Sequence, residues 1–235
     1  GWYAVALDLR GHGDSDWSKS GRYHFEDFAG DVTNLAHLFS SPPVLVGASL
    51  GGISSLLAVA RTREPLASAL VLVDIATRME PKGVHRIIEF MNARPEGFAS
   101  LEEAADAVAQ YLPHRKRPSD LNGLSKNLRR HADGRYRWHW DPQFMRPDGV
   151  RRIPDLKDLE RAARSLRIPT LLVRGRMSDL LSEDGARHFL ELVPHARFAD
   201  VSGAGHMVAG DRNDAFTQAV IEFLRNLSPS GERPL

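Results

Sequence analysis

Residues Val44-Leu45-Val46-Gly47-Ala48-Ser49-Leu50-Gly51-Gly52 decide how this chain is read. Three apolar residues suited to a buried strand run into Gly-x-Ser-x-Gly. A helical apolar pattern follows at once: Leu50, Ile53, Leu56, Leu57 and Ala60. A strand that turns sharply into a helix places a serine at the bend. That serine must hold a strained backbone so that its hydroxyl stands clear of the sheet. Strand and helix nearly collide at such a turn, so the flanking residues two positions away must be small. Gly47 and Gly51 meet that need. The helix N-terminus also points backbone N–H groups, Leu50 first, at the place where an oxyanion would form. The bare pentapeptide pattern fits a tight turn with an incidental serine as well. The strand before it and the helix after it favour a nucleophile.

Upstream, Tyr3 to Leu7 reads as a first strand ending at Asp8. A turn, Asp8-Leu9-Arg10-Gly11-His12-Gly13-Asp14-Ser15, follows. Its bland reading is structural: the glycines permit the turn, and Asp8 and Arg10 fix it by local hydrogen bonds. A core strand so near residue 1 predicts that an N-terminal piece is missing. Phe25, Phe28, Val32, Leu35, Leu38 and Phe39 recur at helical spacing. Downstream, Leu70-Val71-Leu72-Val73-Asp74 is a further strand. Its unbroken apolar run suits a parallel sheet buried on both faces.

The character changes between Thr77 and Arg167, where short helical patterns dominate. One, from Leu101 to Leu112, opens with Ser100 and Glu103, a capping-box pair. Another holds Leu156, Leu159, Ala163 and Leu166. The sheet resumes at Thr170–Gly175, with Arg176-Met177-Ser178-Asp179 as its strand-end loop. A helix from Ser182 to Val193, a weak strand from Ala196 to Val201, a loop holding Gly203-Ala204-Gly205-His206 and a last helix complete the pattern. The expected division is a core of residues 1–77 and 167–228, a helical insertion at 78–166 and a flexible tail at 229–235.

The 235 residues are 42% hydrophobic and 26% charged, an ordinary globular mixture. A net charge of +1 gives no reason to expect nucleic acid or a membrane surface as partner. The absence of cysteine excludes disulfides, thiolate catalysis and Cys-based zinc sites, and suits a reducing cytoplasmic setting. His12 and His24 lack metal-ligand spacing. No apolar run is long enough to span a bilayer, and no charged-then-apolar leader opens the quoted sequence.

Taken together, the Val44–Gly52 elbow, the Asp8–Ser15 turn and the inserted helices resemble the α/β-hydrolase superfamily. The resemblance covers essentially the whole chain. The fold it implies is α/β: a mostly parallel sheet with helices on both faces, N-terminally incomplete, carrying an inserted helical cap. It implies a catalytic triad in the order nucleophile, acid, base. That order assigns Ser49 as nucleophile, Asp179 in a strand-end loop as acid and His206 after the last strand as base. Asp74, which ends the strand after the elbow helix, is the alternative acid. Asp211 is better read as a cap for the last helix. Leu50 N–H is the oxyanion donor. In the cap, Trp138, His139 and Trp140 either line a substrate pocket or form a cap-core cluster.

A serine at the elbow argues against epoxide hydrolases and haloalkane dehalogenases, which use aspartate. The implied reaction is acyl transfer to water on a small ester or lactone, as by an esterase, with no cofactor and no metal. Carbon–carbon hydrolysis, cofactor-free perhydrolysis and a catalytically impaired small-molecule binder are the alternatives. The family also carries a third strand ending in a His-Gly-type loop that donates a second oxyanion N–H. No such segment stands in the quoted sequence, which leaves a gap expected beside residues 44–46. A longer chain, direct closure of the strands or a partner's strand would each fill it. The sequence leaves the oligomeric state open.

Overall fold

A computed structural model of the chain describes residues 2–115, 117, 119–145 and 154–227. In chain order its elements are α1 (Phe25–Ala36), β1 (Val44–Ala48), α2 (Leu50–Arg61), β2 (Ala69–Val73), α3 (Pro81–Asn92), α4 (Leu101–Tyr111) and the short α5 (Asn122–Ser125). Next come β3 (Leu128–Arg130), β4 (Tyr136–Trp138) and a 3-10 turn at Pro142–Met145. The chain continues through α6 (Leu156–Ser165), β5 (Thr170–Gly175), α7 (Glu183–Leu192), β6 (Arg197–Val201), the short α8 (Val208–Asp211) and α9 (Asn213–Arg225). The expected tail at 229–235 lies outside the described residues.

The chain divides into two compact units. The first holds residues 1–6, 24–84 and 152–235; the second holds 7–23 and 85–151. The division differs from the expected one in three places. The glycine turn after Asp8 groups with the inserted segment, while residues 78–84 and α6 group with the sheet.

The first unit is built on a parallel sheet in the order β1-β2-β5-β6. All of β2 and β5 is buried, as an apolar run without polar alternation requires. Side chains alternate across the sheet. Ala69, Val71 and Val73 join Leu171, Val173, Val201 and Phe223 in one core cluster with α9. Leu70, Leu72 and Leu172, fully buried, face the other way. Helices cover both faces, with α2 packed on β1 and β2, and α9 on β5 and β6. The helix α1 buries Phe25, Phe28, Ala29, Val32 and Ala36, the stripe its spacing predicts. Side-chain caps open two more helices: Asp155 accepts from Asp158 N, and Ser182 from Gly185 N.

The expected strand at residues 3–7 is not formed. Residues 2–9 adopt no regular structure, and Trp2, Tyr3, Val5 and Leu7 are exposed. A strand exists only where a neighbour takes up its N–H and C=O groups. Among the described residues no strand pairs with this run, nor with the outer edge of β1. Half of Val46 is accordingly exposed.

The second unit contains a feature absent from the sequence reading, the antiparallel hairpin β3–β4. Asp133-Gly134 forms its turn, with Gly134 at φ 81°. Asp133 accepts from Arg135 N and binds both terminal nitrogens of Arg137. Phe98, Ala104 and Leu128 form a small core with Leu101, Tyr136 and Trp138 packed on it. The expected pair at the start of α4 forms half of a capping box: Ser100 Oγ accepts from Glu103 N, while Glu103 Oε2 accepts from Ala99 N, one residue before the cap.

The glycine turn is fixed much as its residues suggest. Asp8 Oδ2 accepts from Asp14 N at 2.9 Å, and Gly11 and Gly13 take positive φ. This turn joins the rest of its unit through Gly13 N to His139 O and Asp141 N to Gly11 O. Beside it lies a buried pair. Tyr23 Oη donates to Asp141 Oδ2 at 2.5 Å and accepts from Ser18 N, and both residues are fully buried. Burial, and then the Asp141 carboxylate, push the Tyr23 phenol up to about 12. The folded value lies above the unfolded one. The pair's stability is therefore fully present below about pH 10 and is lost as pH rises through about 12. Replacing Tyr23 by Phe should cost about 1–3 kcal/mol at pH 7, because the buried Asp141 carboxylate loses a donor. The variant should also lack this alkaline loss. Urea titrations at pH 7 and pH 11 on both proteins measure each effect.

Candidate active site

Ser49 sits between β1 and α2 with φ 46° and ψ −117°, a region L-residues rarely enter. Among the described residues, the non-glycine residues with positive φ are Ser49 and Asp74. Both stand at the carboxyl ends of adjacent parallel strands, where open α/β sheets hold their ligands. Ser49 N donates to Val73 O, which ties the elbow to β2. Its carbonyl accepts from Gly52 N and Ile53 N and so starts the helix. Leu50, the expected oxyanion donor, is the first residue of α2. Its N–H belongs to the first turn, whose amides have no partner within the helix.

The crowding at the elbow falls differently from expectation. A Cβ on Gly47 would lie 2.4 Å from Gly51 O, so β1 and α2 do meet there. A Cβ on Gly51, however, would meet nothing within 4 Å. The second obligatory glycine is Gly52, whose Cβ would lie 2.3 Å from Ile75 Cγ2 and 2.9 Å from Gly47 O. The backbone of Gly51 is what approaches the strand, and its missing side chain would point into open space.

His206 lies in the loop after β6. Its ring Nδ1 is 2.8 Å from Asp74 Oδ2. The Asp74 carboxyl is wholly buried and the imidazole nearly so, at 0% and 12% exposure. Asp74 takes two further donors: Gly175 N to Oδ1 at 2.8 Å and Ser178 Oγ to Oδ2 at 2.5 Å. An ionised carboxylate only accepts, so Nδ1 carries the proton and Nε2 is left with its lone pair. The histidine loop is itself anchored. Asp211 Oδ2 accepts from Gly205 N at 2.9 Å.

Of the two aspartates weighed from the sequence, the one bonded to His206 is therefore Asp74, the second choice. Asp179, the first choice, lies exposed in the loop after β5. Its backbone carbonyl packs where a Cβ on Gly83 would stand. The same loop reaches the site through its neighbour Ser178, a residue the sequence reading gave no role. The Ser178-Asp179 pair held the signal, since a hydroxyl beside a candidate acid can serve another carboxylate.

Trp138, His139 and Trp140 lie in the second unit. The two indoles stack with centroids 5.2 Å apart and planes 8° from parallel, and Trp138 meets Phe98 edge-on. Trp138 packs on that unit's small core. The His139 ring is 3.7 Å from Asp14 Oδ1, and burial, then Arg129, holds its pKa below the usual histidine value. Among the described residues no group of three or more His, Asp or Glu side chains could hold a metal ion. No helix among them is long and apolar enough to cross a membrane.

A buried Asp–His pair beside a strained serine, at the carboxyl edge of a parallel sheet, defines a hydrolase-like site. The family model for the alpha/beta hydrolase fold matches residues 1–212. The chain belongs to that family of enzymes. It is 28% identical over 239 residues to an esterase of Mycobacterium tuberculosis, covering 95% of this chain and 74% of that one. It is 29% identical over 226 residues to 2-(acetamidomethylene)succinate hydrolase of Mesorhizobium japonicum, covering 94% and 77%. The crystal structure of an E-2-(acetamidomethylene)succinate hydrolase superposes with a TM-score of 0.79 at 25% identity, over 92% of this chain and 79% of that one.

The elbow geometry yields a paired expectation. Gly47→Ala should destabilise the protein by more than about 2 kcal/mol, because the new methyl meets backbone that cannot move aside. Gly51→Ala should be neutral or stabilise by about 0.5–1 kcal/mol, the gain of alanine over glycine in a helix. Urea midpoints of the two variants against the parent protein measure both.

Proposed function

We propose that this protein is a serine hydrolase that cleaves small carboxylic esters or lactones through an acyl-enzyme on Ser49. The observation that carries the reading is the buried His206–Asp74 hydrogen bond at the same sheet edge as the strained Ser49. A serine hydroxyl is a weak nucleophile at neutral pH and needs a base that is itself oriented by a carboxylate. In this reading Ser49 Oγ attacks the substrate carbonyl while His206 Nε2 takes its proton. Asp74 keeps Nδ1 protonated and steadies the imidazolium that forms. Leu50 N–H donates to the carbonyl oxygen as it gains charge. His206 returns the proton to the leaving oxygen, and the acyl group stays on Ser49. Water, deprotonated by His206, then attacks the acyl carbon; the bond to Ser49 Oγ breaks, His206 returns the proton to that oxygen, and the acid is freed. No cofactor enters these steps.

Ester chemistry is favoured over the alternatives by the named activity of the M. tuberculosis relative, an esterase. The first test is intact-mass analysis after exposure to a fluorophosphonate. One adduct on the parent protein and none on Ser49→Ala is the expected result. No adduct on the parent would overturn the reading. The second test separates the two aspartates. Asp74→Asn should lower kcat for a p-nitrophenyl ester by about 10³–10⁴, the loss typical of a triad acid turned to an amide. Asp179→Asn should stay within about threefold, as expected for a group that makes no bond changing in the transition state. The reverse ranking would return the acid role to Asp179.

A further inference from the structure

We infer that Ser178 is a positioning residue for the acid of this site, acting through Asp74 on His206; for its kinetic readout the inference rests on the serine-hydrolase reading. The argument begins with the hydroxyl's own hydrogen bonds. Ser178 Oγ accepts from both Leu180 N and Leu181 N, at 3.1 Å each. A hydroxyl has two lone pairs and one proton. With two amides on the oxygen, its proton has one remaining use, and it points at Asp74 Oδ2, 2.5 Å away. Oδ2 is also the oxygen that faces His206 Nδ1.

The two amides are themselves fixed. Leu180 and Leu181 are almost wholly buried. Leu180 O accepts from Glu80 N at 2.8 Å. Leu181 O accepts from Arg174 Nε at 2.8 Å, and that arginine is held by Asp200 at 2.9 Å. The turn after β5 is thus pinned at successive carbonyls, and its amides hand a single oriented O–H to the acid. Gly175 N holds the other carboxylate oxygen. The two donors leave Asp74 one orientation, with Oδ2 toward the imidazole. A side chain that loses one of two such tethers regains rotation about its terminal bond.

The experiment compares Ser178→Ala and Ser178→Thr with the parent protein in two ways. Steady-state kinetics on a p-nitrophenyl ester should show kcat for Ser178→Ala lower by about tenfold, the rate equivalent of one charge-assisted hydrogen bond, with KM changed less than about twofold. Ser178→Thr, which keeps the donor, should recover to within about threefold of the parent, because the same hydroxyl is offered. Proton NMR of the low-field His206 Nδ1–H signal should show it displaced or broadened in Ser178→Ala and restored in Ser178→Thr. A merely structural role would lower the melting temperature and leave this signal in place. Parental kcat and an unmoved signal in Ser178→Ala overturn the inference, and so does a loss that Ser178→Thr does not restore. Should Ser178→Ala fail to fold, Ser178→Cys takes its place: a thiol of similar size but weak as a donor should show the same kcat loss. The NMR arm needs no turnover. If the parent protein takes no fluorophosphonate but the signal still responds to Ser178→Ala, the functional reading fails and the positioning role stands.

Discussion

The buried carboxylate of Asp74 is the constraint on which the carboxyl edge of this sheet depends. A carboxylate with no solvent exposure is tolerated only when its oxygens are met by donors, since an uncompensated buried charge costs several kcal/mol. Asp74 is met by an amide of Gly175, a hydroxyl of Ser178 and the ring of His206. These come from the end of β5, the loop beyond it and the loop after β6. The carboxylate therefore specifies where three separate segments must lie. Its positive φ turns it out of line with β2, and Val173 O receives its amide at 2.7 Å. Backbone strain at this residue persists because the surrounding bonds over-determine it.

The same logic governs Ser49 one strand away. Its conformation is held by Val73 O on one side and by the start of α2 on the other. The helix comes so close to β1 that only glycine fits at positions 47 and 52. Two strained residues on neighbouring strands are linked by the β1–β2 ladder, whose last pair is Ala48 with Val73. The relative placement of serine and acid is thus a property of a parallel sheet register. That register is fixed because β2 is wholly buried, so a one-residue slip would turn its side chains to the wrong faces.

Much of this was legible in the sequence, and for physical reasons. The elbow announces itself because strain, close approach and strand-to-helix change each leave a residue signature. The buried strand β2 does so through an unbroken apolar run. What escaped was non-local. The run from Tyr3 to Leu7 has the composition of a strand, but a strand is a relation between two segments, and composition shows only one of them. The β3–β4 hairpin is carried by short, half-exposed strands rich in arginine, and only Asp133-Gly134 marked it. Gly51 and Gly52 are indistinguishable on paper, because which of them faces Ile75 depends on the roll of α2.

Which of Asp74 and Asp179 meets His206 was not legible in the sequence, for a deeper reason. β2 and β5 are adjacent and parallel, with Val73 paired to Val173. Both strands therefore end at the same edge of the sheet. Loop position alone is therefore silent on which carboxylate is used. What separates the two sites is complementarity of donors and acceptors. A second carboxylate pressed against the first would repel it, and one of the two would have to protonate. A hydroxyl whose lone pairs are already taken by Leu180 N and Leu181 N can only donate. Ser178, one residue before Asp179 in the loop after β5, thus gives its proton to the carboxylate that meets His206.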